Sequence, residues 1–311
     1  MKKILYLSIP MLLLASCNDD FGKAKENKPV PTPGEDVEFT CSSGDAQSRT
    51  IYADEDTTVN GKTAWRINWL DGDRINVFTP QGPLGFQLAP YQVVNKRDPK
   101  PETEEVGPQS VDYLNYALQL NKVNQYGVRW GETAEQDFYA VYPYSTAANQ
   151  ISNNGTVENP NVVITANVES NQINTAPFYT NGSNVFVKGD MPNNIMWAHK
   201  KERNGADYVD LRFHAATTVI QFQFNGLKDN LGNDQPMTIQ EVKLTTNDET
   251  KKIAGTMSLS INEVDGKDVA TYTLTEGTSN SVAVATQYDN LFVEIASGGT
   301  ATVKMFLAIP S

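Results

Sequence analysis

The chain has little of what metal and redox sites are built from. Its 311 residues include two cysteines, Cys17 and Cys41, and two histidines, His199 and His214. A structural zinc site takes about four Cys or His ligands, and no CxxC pair is present, so neither that chemistry nor a CxxC redox motif is open to it. The two histidines are read as structural residues. A Gly-x-Ser-x-Gly elbow, a phosphate-binding loop and an HExxH pair are also missing, and with them the common catalytic signatures. We expect no enzyme and no cofactor, although a glycosidase would need only two well-spaced carboxylates. Positive charge is scarce. There are 25 Lys and Arg against 37 Asp and Glu, giving a net charge of -12. Such a surface repels phosphate backbones, so nucleic acid is not an expected partner. No apolar run reaches the roughly 20 residues of a membrane-spanning helix, and no amphipathic helix longer than about eleven residues stands out.

What is present begins with MKKILYLSIPMLLLASC, two lysines followed by a short apolar run. This fits the core of a secretory leader. Its end, Leu14-Ala15-Ser16-Cys17, resembles a bacterial lipobox, in which the cysteine is lipidated and becomes the new N-terminus. Residues 1–17 are therefore read as a lipoprotein signal, with Cys17 holding the chain to membrane lipid. Each buried CH₂ of an acyl chain contributes about 0.8 kcal/mol to such an anchor. Residues 18–36 are polar and carry Pro29, Pro31 and Pro33, which predicts an extended tether. Asp19 and Asp20 resemble an acidic export tag and serve equally as solvated linker.

From residue 37 onward the hydrophobic period is two. Short runs such as VVITANV (162–168), DYVDLRF (207–213), TVIQFQF (218–224) and TVKMFLAI (302–309) are rich in β-branched and aromatic residues. Asn-Gly, Asp-Gly and Gly-Gly turn signals separate them. The expected fold class is all-β, with two tandem β-sandwich domains. The charged stretch KKERNG (200–205) suggests a boundary, giving domains over 37–204 and 205–311. The second is short and stops just after an apolar strand, so its C-terminal part is expected to be short or incomplete.

Residues 37–78 draw the most attention. Val37, Glu38, Phe39, Thr40 and Cys41 alternate as a strand. A small polar loop, SSGDAQS (42–48), leads to one basic residue, Arg49, followed by Thr50. Exposed loops of this composition are the usual places for proteolytic nicking. Trp65 and Trp69 lie four apart and share a strand face. They read as core packing, with a sugar-stacking platform as the alternative. Asp71-Gly72-Asp73 reads as a turn, since calcium needs six to eight oxygen ligands. FYAVYPY (138–144) reads as a strand ending at Pro143, with an adhesive aromatic patch as the alternative.

Several of these stretches together resemble the fimbrillin (Mfa-like) family, the pilin-type lipoproteins of type V pili. They are the lipobox, the Val-x-Phe strand, Ser48-Arg49-Thr50, WLDGDRINVF (69–78), FYAVYPY, LRFHAA (211–216) and FLAIP (306–310). The resemblance spans nearly the whole chain. It implies transthyretin-like sandwiches and a lipid-anchored, surface-exposed outer-membrane precursor. It also implies that a trypsin-like protease cuts at Arg49–Thr50 and that the strand at 37–41 is then lost. Another pilin subunit's strand would fill the groove. The product would be a fimbrium acting in cell adhesion, with host or bacterial surface ligands as further partners. The competing reading is a surface glycan-binding lipoprotein of a nutrient-uptake system, which an exposed row of Trp or Tyr would favour.

Overall fold

The computed structural model describes residues 34–43, 51–59, 62–69, 72–94, 118–147, 150–173, 179–181, 184–186, 191–264, 267–285, 287–288 and 291–308. Their regular secondary structure is almost entirely strand. In chain order the first seven strands are β1 (Phe39–Ser43), β2 (Ile51–Val59), β3 (Lys62–Asn68), β4 (Arg74–Phe78), β5 (Leu88–Val94), β6 (Leu118–Lys122) and β7 (Glu135–Tyr142). Then come β8 (Ile151–Asn153), β9 (Val162–Val168), β10 (Asn171–Ile173), β11 (Tyr179–Asn181) and β12 (Asn184–Phe186). A 3-10 turn at Met191–Asn193 precedes β13 (Met196–Arg203) and β14 (Val209–Ala215). The remainder is β15 (Thr218–Asn225), β16 (Leu227–Lys228), β17 (Asp234–Gln235), β18 (Met237–Ile239), β19 (Glu241–Thr245), β20 (Ala254–Val264), β21 (Lys267–Ser279), β22 (Ser281–Ala285), β23 (Gln287–Tyr288), β24 (Leu291–Ile295) and β25 (Thr300–Leu307). The all-β expectation therefore holds.

Seven strands close into a barrel in the order β1-β14-β13-β7-β4-β5-β6. Closure removes the unpaired edges that an open sheet would present. Its interior is filled by alternate residues of each strand, among them Phe39, Ile75, Val77, Tyr91, Val93, Phe138, Ala140, Leu211 and Phe213. The turn into β4 is made by Gly72 at φ 93°, a left-handed conformation open to glycine without steric penalty. Its N–H is bonded to the Val93 carbonyl at 3.0 Å. The β2–β3 hairpin forms a separate two-stranded sheet.

The FYAVY run explains itself once the layers are seen. Phe138, Ala140 and Tyr142 face the barrel interior. Tyr139 and Val141 face outward into a second core with Phe78, Ile195 and Trp197. A strand buried on both faces reads as a continuous apolar run instead of an alternating one. The sheet β21-β20-β9-β8 covers this outer wall through Val162, Ile164, Met257 and Leu259. A third core lies between β18, β19, β22, β24 and β25, with Ile239, Val242, Val282, Val284, Val293, Val303 and Met305 fully or nearly buried.

The division of the chain differs from the one expected. The turn at 204–205, where a boundary was expected, joins β13 to β14, and both belong to the barrel. Residues 151–186, from the first half, are built into sheets with the second half. There β9 pairs with β20, β10 runs parallel to β22, and β12 runs parallel to β25. Pro31–Ser311 forms one compact unit. A charged surface strand and turn have the same composition as a linker: Lys200, Lys201 and Arg203 all lie in β13, laddered to β7.

Candidate functional site

β1 is held along both edges. On one side it runs parallel to β14, with Phe39 opposite Val209 and Ser43 opposite Phe213. On the other it is antiparallel to β6, with Phe39 opposite Leu120 and Cys41 opposite Leu118. The ladder starts at Phe39, two residues later than the sequence suggested, but Val37 and Glu38 are held by isolated bonds. Val37 N–H donates to the Val128 carbonyl at 2.9 Å, and the Glu38 carbonyl accepts from Val209 N–H at 2.9 Å.

The alternation read from the sequence sets which side chains enter the barrel. Val37, Phe39 and Cys41 are 2, 1 and 0 % exposed, whereas Glu38 faces solvent and Thr40 is half-buried. The Phe39 ring meets Tyr91 edge-on at 5.0 Å and Phe138 at 5.4 Å. Such pairs add about 0.5–1.5 kcal/mol beyond area burial. Burial in this core pushes the Cys41 thiol well above its ordinary pKa, and the charges of Asp210 and Asp73 push the same way. It is consequently an unreactive thiol. The Tyr91 hydroxyl, also raised by burial, accepts a bond from Val128 N–H at 2.9 Å.

Before β1, residues 34–36, the end of the expected tether, are docked. Gly34 N–H donates to the Trp130 carbonyl at 2.8 Å, and Trp130 N–H donates to the Glu35 carbonyl at 2.9 Å. The Asp36 carboxylate pairs with Lys122 and, at 3.4 Å, with Arg129. Partial burial would raise its pKa, but these two cations lower it overall. Arg129 in turn lies 3.8 Å over the Phe86 ring. The result is a latch at the mouth of the β1 slot.

Of the other expected site residues, Cys17, Arg49 and Thr50 lie outside the described residues. Of the aromatic candidates, the Trp65 side chain also lies outside the described residues, while Trp69, Phe138, Tyr139 and Tyr142 are packed inside. Trp69 is edge-on to Phe213 at 4.9 Å and to Tyr142 at 5.5 Å, and Trp130 and Trp197 are also buried. Among the described residues, no cluster of His, Cys, Asp and Glu is arranged to hold a metal ion.

One polar constellation escaped the sequence reading. His199 on β13 sits between Asp137 on β7 and Asp268 on β21. Its Nε2 is 3.2 Å from Asp137 Oδ1 and its Nδ1 is 2.6 Å from Asp268 Oδ1. Gln81 Nε2 donates to Asp137 Oδ2 at 2.8 Å. The three residues come from strands far apart in sequence, so no local motif marks them. Only the β7–β13 register, which sets His199 opposite Tyr139, brings two of them together.

No protein-family model matches the chain, and no curated protein matches it in sequence. Among solved structures the chain is similar to a candidate cell adhesion protein from Bacteroides ovatus, with a TM-score of 0.40 and 15% identity over 88% of this chain and 79% of that one. A second candidate cell adhesion protein, from Bacteroides uniformis, aligns with a TM-score of 0.38 and 15% identity over 86% of this chain and 79% of that one.

Proposed function

We propose that this is a surface lipoprotein of the pilin type, acting in cell adhesion, in which β1 is a replaceable strand. Cleavage at Arg49–Thr50 by a trypsin-like protease frees the strand, and a strand of another subunit takes its slot. Attachment is also the role for which the two Bacteroides structures are named. The observation that supports this most is the seat of β1. One strand closes the barrel, makes both of its ladders, and contributes Val37, Phe39 and Cys41 to the core. Taking it out leaves two facing rows of unpaired backbone groups and an apolar slot. An incoming strand satisfies both at once, as in β-augmentation generally. Filling the places of Val37 and Phe39 is worth about 1.5–3 kcal/mol per side chain. Anchoring through acylated Cys17 puts the precursor on the outer membrane.

Trypsin treatment of the purified, unlipidated chain tests this, read by intact mass and gel filtration. The expected result is one early cut after Arg49, absent in Arg49→Gln, with loss of the 37–41 strand and growth of larger species. Persistence of a monomer with the N-terminal fragment still bound would sink strand exchange. Loss of palmitate incorporation in Cys17→Ser tests the anchor. The glycan-binding alternative calls for an exposed row of stacking rings; among the described residues Trp69, Trp130 and Trp197 are buried, and Tyr126 and Tyr208 are exposed.

A further inference from the structure

We infer that Asp137, His199 and Asp268 form an ionic rivet, a protonated imidazole between two carboxylates, that fastens the closed end of the β20–β21 hairpin to the barrel wall and releases it at alkaline pH. The inference is independent of the strand-exchange reading.

The geometry carries it. A neutral imidazole has one N–H donor and one acceptor nitrogen, whereas the imidazolium has two donors. Here both ring nitrogens lie within hydrogen-bond distance of a carboxylate oxygen. With a neutral ring, one nitrogen lone pair would point at an anionic oxygen. With the ring protonated, both contacts become charge-assisted bonds, the stronger kind. The site is sheltered: the His199 side chain is 8% exposed and that of Asp137 13%. The ring also stacks on Tyr139 at 4.6 Å and 22°, a face that attracts a cation.

The rivet joins two different layers. Asp137 and His199 belong to barrel strands, and Asp268 is the second residue of β21, opposite Glu263 at the closed end of the hairpin. Apolar contact is sparse at that end, where Val264 and Val269 are 52 and 43% exposed. Tyr272, further along β21, receives a bond from Trp197 Nε1 at 3.3 Å, so the middle of the hairpin has another attachment. The closed end depends on Asp268.

The facing charges are these: from β7, Asp137; from β13, Lys201, whose charge acts on Asp137; from β21, Asp268. Burial alone would lower the His199 pKa, but the hydrogen bonds and charges of the two carboxylates outweigh it and raise it to about 9. Burial would raise the Asp137 pKa, yet bonds from His199 and Gln81 bring it below its ordinary value. Tyr139 is held above the ordinary tyrosine range by burial and by the Asp137 and Asp268 charges, so it does not titrate in the same window. The rivet is thus closed through neutral pH and opens as pH rises through about 9.

Two measurements on the full unlipidated chain test this. In a His214→Gln background, which leaves a single imidazole, NMR titration is expected to place the His199 transition near 9, and at a lower pH after Asp268→Asn. Hydrogen exchange of peptides covering 262–270, corrected for intrinsic rate, is expected to rise at least tenfold at pH 7 in Asp268→Asn, with the peptides of β4 unchanged. A wild-type transition at or below 6.5, or hairpin exchange that Asp268→Asn leaves unaltered, would overturn the rivet. The first readout stands whether or not the variant alters the hairpin.

Discussion

Replacing Phe39 by alanine is the most direct probe of what β1 contributes. The ring is 1% exposed and is touched edge-on by Tyr91 and Phe138. A buried Phe→Ala change costs about 3–5 kcal/mol through lost transfer energy and the cavity left behind. The aromatic contacts are contained in that figure and are not added to it. Total stability of a folded protein is about 5–15 kcal/mol, so about a fifth or more of it rides on one side chain of the first strand. Relaxation is limited here, because the barrel is closed on both sides of β1 and its neighbours cannot slide inward without breaking a ladder. The assay is urea unfolding followed by tryptophan fluorescence, with Trp130, 5.3 Å from Phe138, as a reporter inside the barrel. Glu38→Ala, one position away and facing solvent, is the control and should fall within about 0.5 kcal/mol of wild type. A loss below about 1 kcal/mol for Phe39→Ala, with an unchanged urea slope, would show that the barrel does not need β1 to fill it.

Three further outcomes follow from the structure. In a Cys17→Ser chain, Cys41 should resist a thiol-specific reagent in the native state and react at once in urea, because it is 0% exposed and burial disfavours its thiolate; fast native labelling would mean that β1 leaves its slot spontaneously. Gln172 bonds the backbone of Phe306, donating to its carbonyl at 2.7 Å and accepting from its N–H at 3.0 Å; Gln172→Leu should cost about 2–6 kcal/mol in denaturant unfolding, since two buried backbone groups lose this bond at about 1–3 kcal/mol each. Stability measured against pH should fall on both sides of neutrality: the His199 contribution is complete below 6.5 and disappears as pH rises through about 9, whereas that of Asp137 is complete above 3.8 and disappears as pH falls through its lowered native value, and His199→Gln should flatten the alkaline limb.

The strands were legible because half-buried strands repeat with period two. Val162, Ile164, Ala166 and Val168 are buried while the residues between them are not, and the same alternation announced Val37, Phe39 and Cys41. Pairing was not legible, because a strand's pattern says which face is buried and nothing about who lies beside it. The parallel β1–β14 contact, the interleaving of residues 151–186 with the C-terminal sheets, and the position of 200–205 inside a barrel hairpin are all of this kind. The His199 cluster was missed for the same reason. Its aspartates are 62 and 69 residues away, and each alone reads as an ordinary surface charge.

The barrel's closure also has a consequence in time. β1 is among the first described residues to be synthesised, yet its parallel neighbour comes far later: the Thr40 to Asp210 side-chain bond spans 170 residues. At about 5–20 residues per second, the ribosome needs roughly ten to thirty seconds to make that stretch. Throughout it Phe39 has no finished slot, and the last ladder forms only by closing a very long loop, the kind of contact that slows folding. The first barrel strand to exist gains its second ladder only once β14 is made, so the nascent chain carries an open barrel until residue 213 has emerged.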